Sequence, residues 1–410
     1  MAIVQHSSAP ASSSPTLPAP PKLAQVRGKA TVPVILFEGA LTGAAAARIL
    51  NQRGIQTYSV ANDPGIYAKS RYYRRLPGIA ERTDPSELES LLRATKVRNA
   101  VLMPCADDWL QAIGTVPADE NSDFKTCLPP RAAIETVVDK AGFATAVREF
   151  GVPHPRTRII RTLEELQKLG DDEFQGYFLK PIHSLEFSRK HGVKALLVQD
   201  KTTALASAQG VNLPILLQEY IPGPATAHYF LDGFIDRHGR TCALFARRRL
   251  RMYPPKLGNS TLMVSIPLQQ LEAAAEPLVR LLNGLNYRGI FSAEFKFDER
   301  DSTFKILEIN ARPWWYVEFA ARCGVDVCTM AYHDALGIDI HPVTSYAVGR
   351  RCVHLSLDIS AFMRRSEGFP TSWLSWAKSV AGAYDALFRW SDPGPAIAYN
   401  LNTTRRRWRT

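Results

Sequence analysis

The chain has 410 residues, 46% of them apolar and 22% charged, with a formal charge of +11 at neutral pH. That length accommodates two or three domains, each with a core of its own, and the composition is that of an ordinary soluble protein. No apolar run of roughly eighteen residues is present, and no basic stretch leads into an apolar one at the N-terminus. These features argue against a membrane span and against secretion, so the cytoplasm is the expected location.

The surplus of cations sits mostly at the ends. Residues 1–30 hold Lys22, Arg27 and Lys29 with no acid, and residues 401–410 hold Arg405, Arg406, Arg407 and Arg409 with no acid. Such ends read as solvated tails, so nucleic acid is not the expected partner, although a basic nucleic-acid-binding protein stays open as an alternative. The cysteines Cys105, Cys127, Cys242, Cys323, Cys328 and Cys352 form no CxxC pair and no zinc-type spacing with histidine. They read as reduced thiols, with Cys323 and Cys328 as small apolar fillers rather than a redox pair.

In chain order, residues 1–30 are rich in Ser, Pro and Ala and are expected to be a disordered tail. From residue 31 a strand over 32–37, a glycine turn, a helix over 43–53 and a strand over 55–60 make a βαβ unit. The turn spacing from Gly39 to Gly43 is GxxxG and not the GxGxxG dinucleotide fingerprint, which argues against NAD. The apolar strand AVLMPC over 100–105 ends in Ala106-Asp107-Asp108. Asp107 there is either a small-molecule contact at the carboxyl edge of a parallel sheet or the cap of the next helix.

After Pro129-Pro130 the pattern changes. Helical stretches fill 131–150, and strands then dominate through RTRII, GYFLKP, PILLQEYIPGP, HYFLDGFID, CALFARRRLRMYPP and TLMVSIP, with a helix at 269–284 before a final acidic hairpin. Many strands with few crossover helices indicate a mixed α+β region. Residues 341–410 form a C-terminal extension whose Trp373, Trp376 and Trp390 are expected to pack it onto the body.

The hairpin SAEFKFDERDSTFKILEIN carries the chemistry. A loop of Arg300-Asp301-Ser302 pairs Glu299 with Thr303 and places Glu294 directly opposite Glu308. Facing carboxylates repel unless a cation lies between them, and two Glu with an Asn suit Mg²⁺ completed by phosphate and water. A loop of another length would split the pair across the two faces, so spacing alone leaves both readings open. Alternation puts Glu308, Asn310 and Arg312 on one face. Lys140 begins a helix and Lys180 ends the strand YFLKP; both are either exposed point charges or phosphate-holding groups.

Taken in order, DKxxF, GVPxPxT, FLKP, LLQEYIPGP, AEFKFD and LEINARPW resemble the ATP-grasp superfamily, in which two α+β lobes clamp ATP. The stretches RRRLRMYPPKLGNST and WSDPGPAI are similar to its carboxylate-amine ligase branch, which includes D-aspartate ligases and ligases of natural-product precursors. The resemblance implies a Rossmann-like domain over 31–130, a small lobe over 131–217 and a large lobe with the Mg/ATP site over 218–340.

It further implies ATP and Mg²⁺ as cofactors, with Lys140 and Lys180 on the phosphates and the segment from Gln218 through Glu219 to Ile221 along adenine. Glu294, Glu308 and Asn310 then hold magnesium, and Arg312 faces the transferred phosphoryl group. The usual ribose acid is Ala225 here, so Thr226 or His228 would serve instead, or water would hold the ribose; phosphate cover falls to Ser188, Arg189 or Lys194, since the loop after Lys180 has only one glycine. His183 and His191 on that loop read as surface residues.

The acidic substrate is expected at Arg249, Arg251 and Lys256, because alternation sets Arg247, Arg249 and Arg251 on one face of the strand and Arg248 with Leu250 on the other. The expected activity is ATP-dependent joining of a small-molecule carboxylate and an amine through an acyl phosphate, with ADP and phosphate released. Among the expectations a homodimer is allowed, and an ATP-binding protein without ligase activity is the alternative within the same fold.

Overall fold

The computed structural model describes residues 32–38, 40–116, 122–182, 195–209, 211–255 and 258–407. The expected N-terminal tail, Gly39, Trp408 and Arg409 lie outside them. Three sheets organise these residues. The first contains β1 (Val34–Phe37), β2 (Thr57–Val60), β3 (Ala100–Pro104) and β4 (Phe124–Thr126), all parallel, in the order β2-β1-β3-β4. Its two central strands, β1 and β3, are short buried apolar runs, and the helix Ala40–Gln52 follows β1 as the βαβ pattern requires. The order reverses between β1 and β3, which puts Asp107, just after β3, at the crevice where such sheets bind ligands.

The helical stretches expected over 131–150 are two helices, Arg131–Val138 and Lys140–Glu149. Asp139 separates them. It takes an extended conformation, and its carboxylate accepts from the backbone N–H of Ala141 and Gly142, so Lys140 becomes the first residue of a new helix.

The second sheet comprises β5 (Thr157–Ile160), β6 (Tyr177–Pro181), β7 (Leu196–Leu197) and β8 (Ile215–Glu219), antiparallel in the order β5-β8-β6-β7. The third has seven strands: β9 (His228–Ile235), β10 (Thr241–Tyr253), β11 (Asn259–Ser265), β12 (Gly289–Asp298), β13 (Thr303–Asn310), β14 (Arg351–Val353) and β15 (Tyr384–Asp385). They run in the order β13-β12-β9-β10-β11-β14-β15.

The hairpin between β12 and β13 differs from expectation in an instructive way. Asp298 pairs with Thr303, so the loop spans residues 299–302, one residue longer than the reading from spacing. With that register kept, Glu294 would face Leu307. A bulge follows Phe295↔Ile306, one extra residue is absorbed on β13, and Glu294 faces Glu308 after all.

The C-terminal extension returns to the body through charge more than through tryptophan. Trp376 is buried and donates from Nε1 to Asp358 at 2.9 Å, but Trp373 is 56% exposed and Trp390 91% exposed, contrary to the expectation for all three. The firm tie is Asp392, which accepts from Arg48 Nε at 2.9 Å, Ser70 Oγ at 2.7 Å and the Arg71 N–H at 2.9 Å. None of the described helices is long and apolar enough to cross a membrane. All six cysteines are free, and five are buried.

Candidate active site

A cleft of about 680 Å³ opens between the second and third sheets and reaches the carboxyl edge of the first; Lys140, Lys180, Glu294, Glu308, Asn310 and Arg312 all line it. Residues more than 170 positions apart in sequence thus share one space, as the ordered motifs anticipate. Two sheets and a helix bring them together: β12 and β13 place the acids, β6 carries Lys180 one residue before its end, and the helix that follows Asp139 supplies Lys140.

The charges in this cleft are unevenly satisfied. Lys140 Nζ donates to the Ile182 carbonyl at 2.6 Å, and its pKa is lowered to about 8 by burial and then by the Lys180 cation. A cation at a helix N-terminus also opposes the helix dipole. Two lysines crowded this way are unfavourable alone and favourable around a polyanion.

Glu294 is embraced: His228 Nδ1 lies 2.8 Å from its Oε1 and Arg249 Nη2 donates to the same oxygen at 3.0 Å. Burial would raise its pKa, but Arg249 and the His228 hydrogen bond outweigh it and hold the carboxyl well below the usual range. Glu308, across the ladder, is exposed. Arg312 makes a two-pronged pair with Asp107, Nε to Oδ1 at 2.7 Å and Nη2 to Oδ2 at 3.0 Å, and its Nη2 also donates to Asn310 Oδ1 at 3.2 Å.

Among the described residues no group of three or more His, Cys, Asp or Glu gathers as a metal site. The donor set is instead two carboxylates opposite each other and an amide, all hard oxygens, with one oxygen of Glu294 engaged by His228 and Arg249. Such a set fits a divalent cation that takes its remaining ligands from phosphate and water.

Other expected residues fall differently. Of the adenine segment, Gln218 lines the cleft and bonds Thr157 Oγ1 at 3.0 Å. Glu219 turns its carboxylate to Arg300 Nη2 at 2.6 Å and the Arg156 N–H at 3.1 Å, and Ile221 is buried. His228 is buried with Nδ1 on the Glu294 carboxylate, and neither it nor Thr226 is among the residues lining the cleft. Lys194, Ser188, Arg189, His183, His191 and Lys256 lie outside the described residues.

The arginine strand is the clearest correction. Arg247 and Arg249 line the cleft, but strict alternation fails at bulges on either side of Arg251. Its guanidinium leaves the site and pairs with Asp358 of the C-terminal extension, Nε to Oδ1 at 3.0 Å and Nη2 to Oδ2 at 2.6 Å. Arg247 is neutralised in turn by the buried Asp232, which also accepts from Ser292 Oγ at 2.7 Å. Arg249 and Arg251, expected to meet an acidic substrate, and Arg247 on the same expected face each have an acid partner: Glu294, Asp358 and Asp232. The wall beside them is aromatic, from Phe230, Trp314, Trp315 and Tyr316.

Sequence reasoning missed the roles of His228 and Asp232 because both depend on strand neighbours: β9 lies between β10 and β12, a pairing no local pattern reveals.

No protein-family model matches the chain. It is 24% identical over 293 residues to D-aspartate ligase of Enterococcus faecium (strain Aus0004), covering 66% of this chain and 68% of that protein. In fold it is similar to the biotin carboxylase domain of Hydrogenobacter thermophilus 2-oxoglutarate carboxylase, with a TM-score of 0.60 at 15% identity over 79% of this chain and 74% of that one. It is likewise similar to carboxyaminoimidazole ribonucleotide synthase from Aspergillus clavatus in complex with ATP, with a TM-score of 0.60 at 14% identity over 78% of this chain and 80% of that one. In its ordered motifs, its fold and these relatives, the chain is similar to the carboxylate-amine ligases of the ATP-grasp superfamily.

Proposed function

We propose that the chain is an ATP-dependent carboxylate-amine ligase that forms an amide bond through an acyl phosphate and releases ADP and phosphate. The observation that carries this reading is the convergence of Lys140, Lys180, Glu294, Glu308, Asn310 and Arg312 on one cleft. It acts on small molecules in the cytoplasm, with ATP and Mg²⁺ as cofactors.

A carboxylate does not react with an amine near neutral pH, because its carbon is a poor electrophile and oxide is a poor leaving group. Transfer of the γ-phosphoryl group to the carboxylate supplies both needs, and the amine then displaces phosphate. Phosphoryl transfer asks the protein for position and charge rather than covalent chemistry. Lys140 and Lys180 neutralise the phosphates, and the main chain along Gln218 to Ile221 holds the adenine. Glu294, Glu308 and Asn310 would hold magnesium, which supplies Lewis-acid stabilisation of phosphoryl oxygens when bound. Arg249 and His228 fix Glu294 in its ionised form and orientation. Arg312 presents a planar fork to the oxygens that gain charge in transfer. The aromatic wall of Phe230, Trp314 and Tyr316 shields the intermediate from water.

The test is isotopic. Oxygen-18 placed in the substrate carboxylate must leave in inorganic phosphate, one atom per turnover, with ADP as the nucleotide product. Label in AMP would overturn the mechanism, and turnover-free ATP binding with no label transfer would overturn the ligase reading. Screening amino acids and candidate acids by product mass spectrometry supplies the substrate pair.

A further inference from the structure

Asp107 has a place in the cleft that the ligase reading leaves unexplained. It belongs to the first sheet, while Arg312 follows β13 of the third, 205 residues away, yet the two meet fork to fork at 2.7 and 3.0 Å. This is the geometry with which an arginine receives a carboxylate or a phosphoryl group. Arg312 therefore already holds an anion, and that anion is part of the chain.

The two partners differ in how firmly each is held. Arg312 is 16% exposed and keeps two further bonds, to Asn310 Oδ1 at 3.2 Å and to the Pro313 carbonyl at 3.2 Å. Asp107 is 40% exposed at the first turn of the helix Asp107–Ile113, and its side chain does not cap that helix. Rotation of its side chain toward solvent would free the fork of Arg312 while the guanidinium stayed in place.

We propose that Asp107 is an exchangeable counter-ion: it occupies the oxyanion site of Arg312 until the phosphoryl group displaces it. The inference rests on the ligase reading for the identity of that oxyanion. Its consequence is a coupling between the first sheet and the reaction. Without an occupant, Asp107 suppresses binding of stray anions at Arg312. Once displaced, it stands with Asp108 at the cleft edge as a pair of carboxylates facing the space through which a cationic amine must approach.

A static brace predicts the opposite of exchange. If Asp107 only positions Arg312, removing its charge misplaces the guanidinium and weakens anion binding. If it competes, removal strengthens binding. The full chain and its Asp107→Asn variant are titrated calorimetrically with inorganic phosphate, with and without saturating MgADP. The expected result is a roughly tenfold tighter phosphate affinity in Asp107→Asn, and loss of that gain when Arg312→Gln is added. A gain confined to succinate, titrated in parallel, keeps the exchange and assigns the anion to the carboxylate substrate. Equal or weaker binding of both anions by the variant overturns the proposal. An unchanged unfolding temperature certifies the variant, and Asp107→Ser replaces it if the amide folds poorly. MgADP titrated alone reports on the nucleotide site separately, so failure of the ligase reading is distinguishable from failure of the exchange.

Discussion

Lys140 shows how one residue carries opposing demands. In the folded free protein its pKa is about 8 against an ordinary 10.5, so the charged form is disfavoured there. The cost to stability is fully present below pH 8 and is relieved as pH rises from 8 toward 10.5, because the unfolded chain holds the proton longer. In the proposed role, binding of ATP runs the other way, since it would use the charge. Affinity for ATP is expected to fall as pH rises through about 8, and Lys140→Arg should flatten that profile; a wild-type affinity constant from pH 7 to 9.5 would refute the assignment. Glu308 gives a second handle. Glu308→Gln keeps the size and removes a charge from the proposed magnesium-holding set, so turnover should drop about a hundredfold or more, near 3 kcal/mol in the barrier. Turnover matching wild type at ordinary magnesium would remove Glu308 from the site.

At the scale of elements, the β12–β13 hairpin is fastened at its turn as well as along its ladder. Asp298 is buried and accepts from Arg300 Nε at 2.8 Å and from Lys305 Nζ at 2.6 Å, while Arg300 reaches on to Glu219 of β8. The Arg300 hydrogen bonds, with help from Lys305, hold the Asp298 carboxyl below the usual range despite its burial. Its stabilisation is therefore present above the ordinary carboxylate pKa of 3.8 and is lost as pH falls below it. Asp298→Asn should cost about 2 kcal/mol at pH 7, less than a fully enclosed pair because Arg300 is half exposed. Denaturant titrations at pH 7 and pH 2.5 should show the gap closing in acid; an equal gap at both would refute the mechanism. The hairpin also marks what the sequence makes legible. The strands and the two acids are readable because alternation and turn residues are local signals, but the opposition of the acids is left open by spacing alone. The bulge that secures the opposition is not readable, since an added loop residue and an added strand residue offset each other. Arg251 was misread for the same reason: alternation holds only as far as the next bulge.

Over the whole molecule, the extension is bound to the helices Ala40–Gln52 and Val317–Cys323 by a buried charge cluster. Arg48 donates to Glu318 at 3.0 Å and to Asp392 at 2.9 Å, and Arg389 donates to Glu318 at 2.6 Å. The motif WSDPGPAI is thus an anchor, a role visible only once Asp392 is seen beside Arg48 and Ser70. Asp392→Ala leaves Arg48 short of one counter-ion in the interior and should destabilise the protein by about 3 kcal/mol. Hydrogen exchange should rise first in the helix Gly394–Arg407 and the segment Gly65–Lys69 it packs on, and uniform protection across both would count against the anchor.

The pairing of β14 with β11 has a further consequence for how the chain is made. The edge of β11 ends at Ser265, and the strand that covers it begins at Arg351. At ordinary rates of synthesis, on the order of ten seconds pass between the two. Throughout that interval the growing chain presents an open edge lined by Leu262, Met263 and Val264, able to pair with a neighbouring nascent copy. Ribosome-bound chains halted near residue 340 should therefore be held by chaperones or coaggregate, whereas chains halted after residue 390 should be released from both hazards.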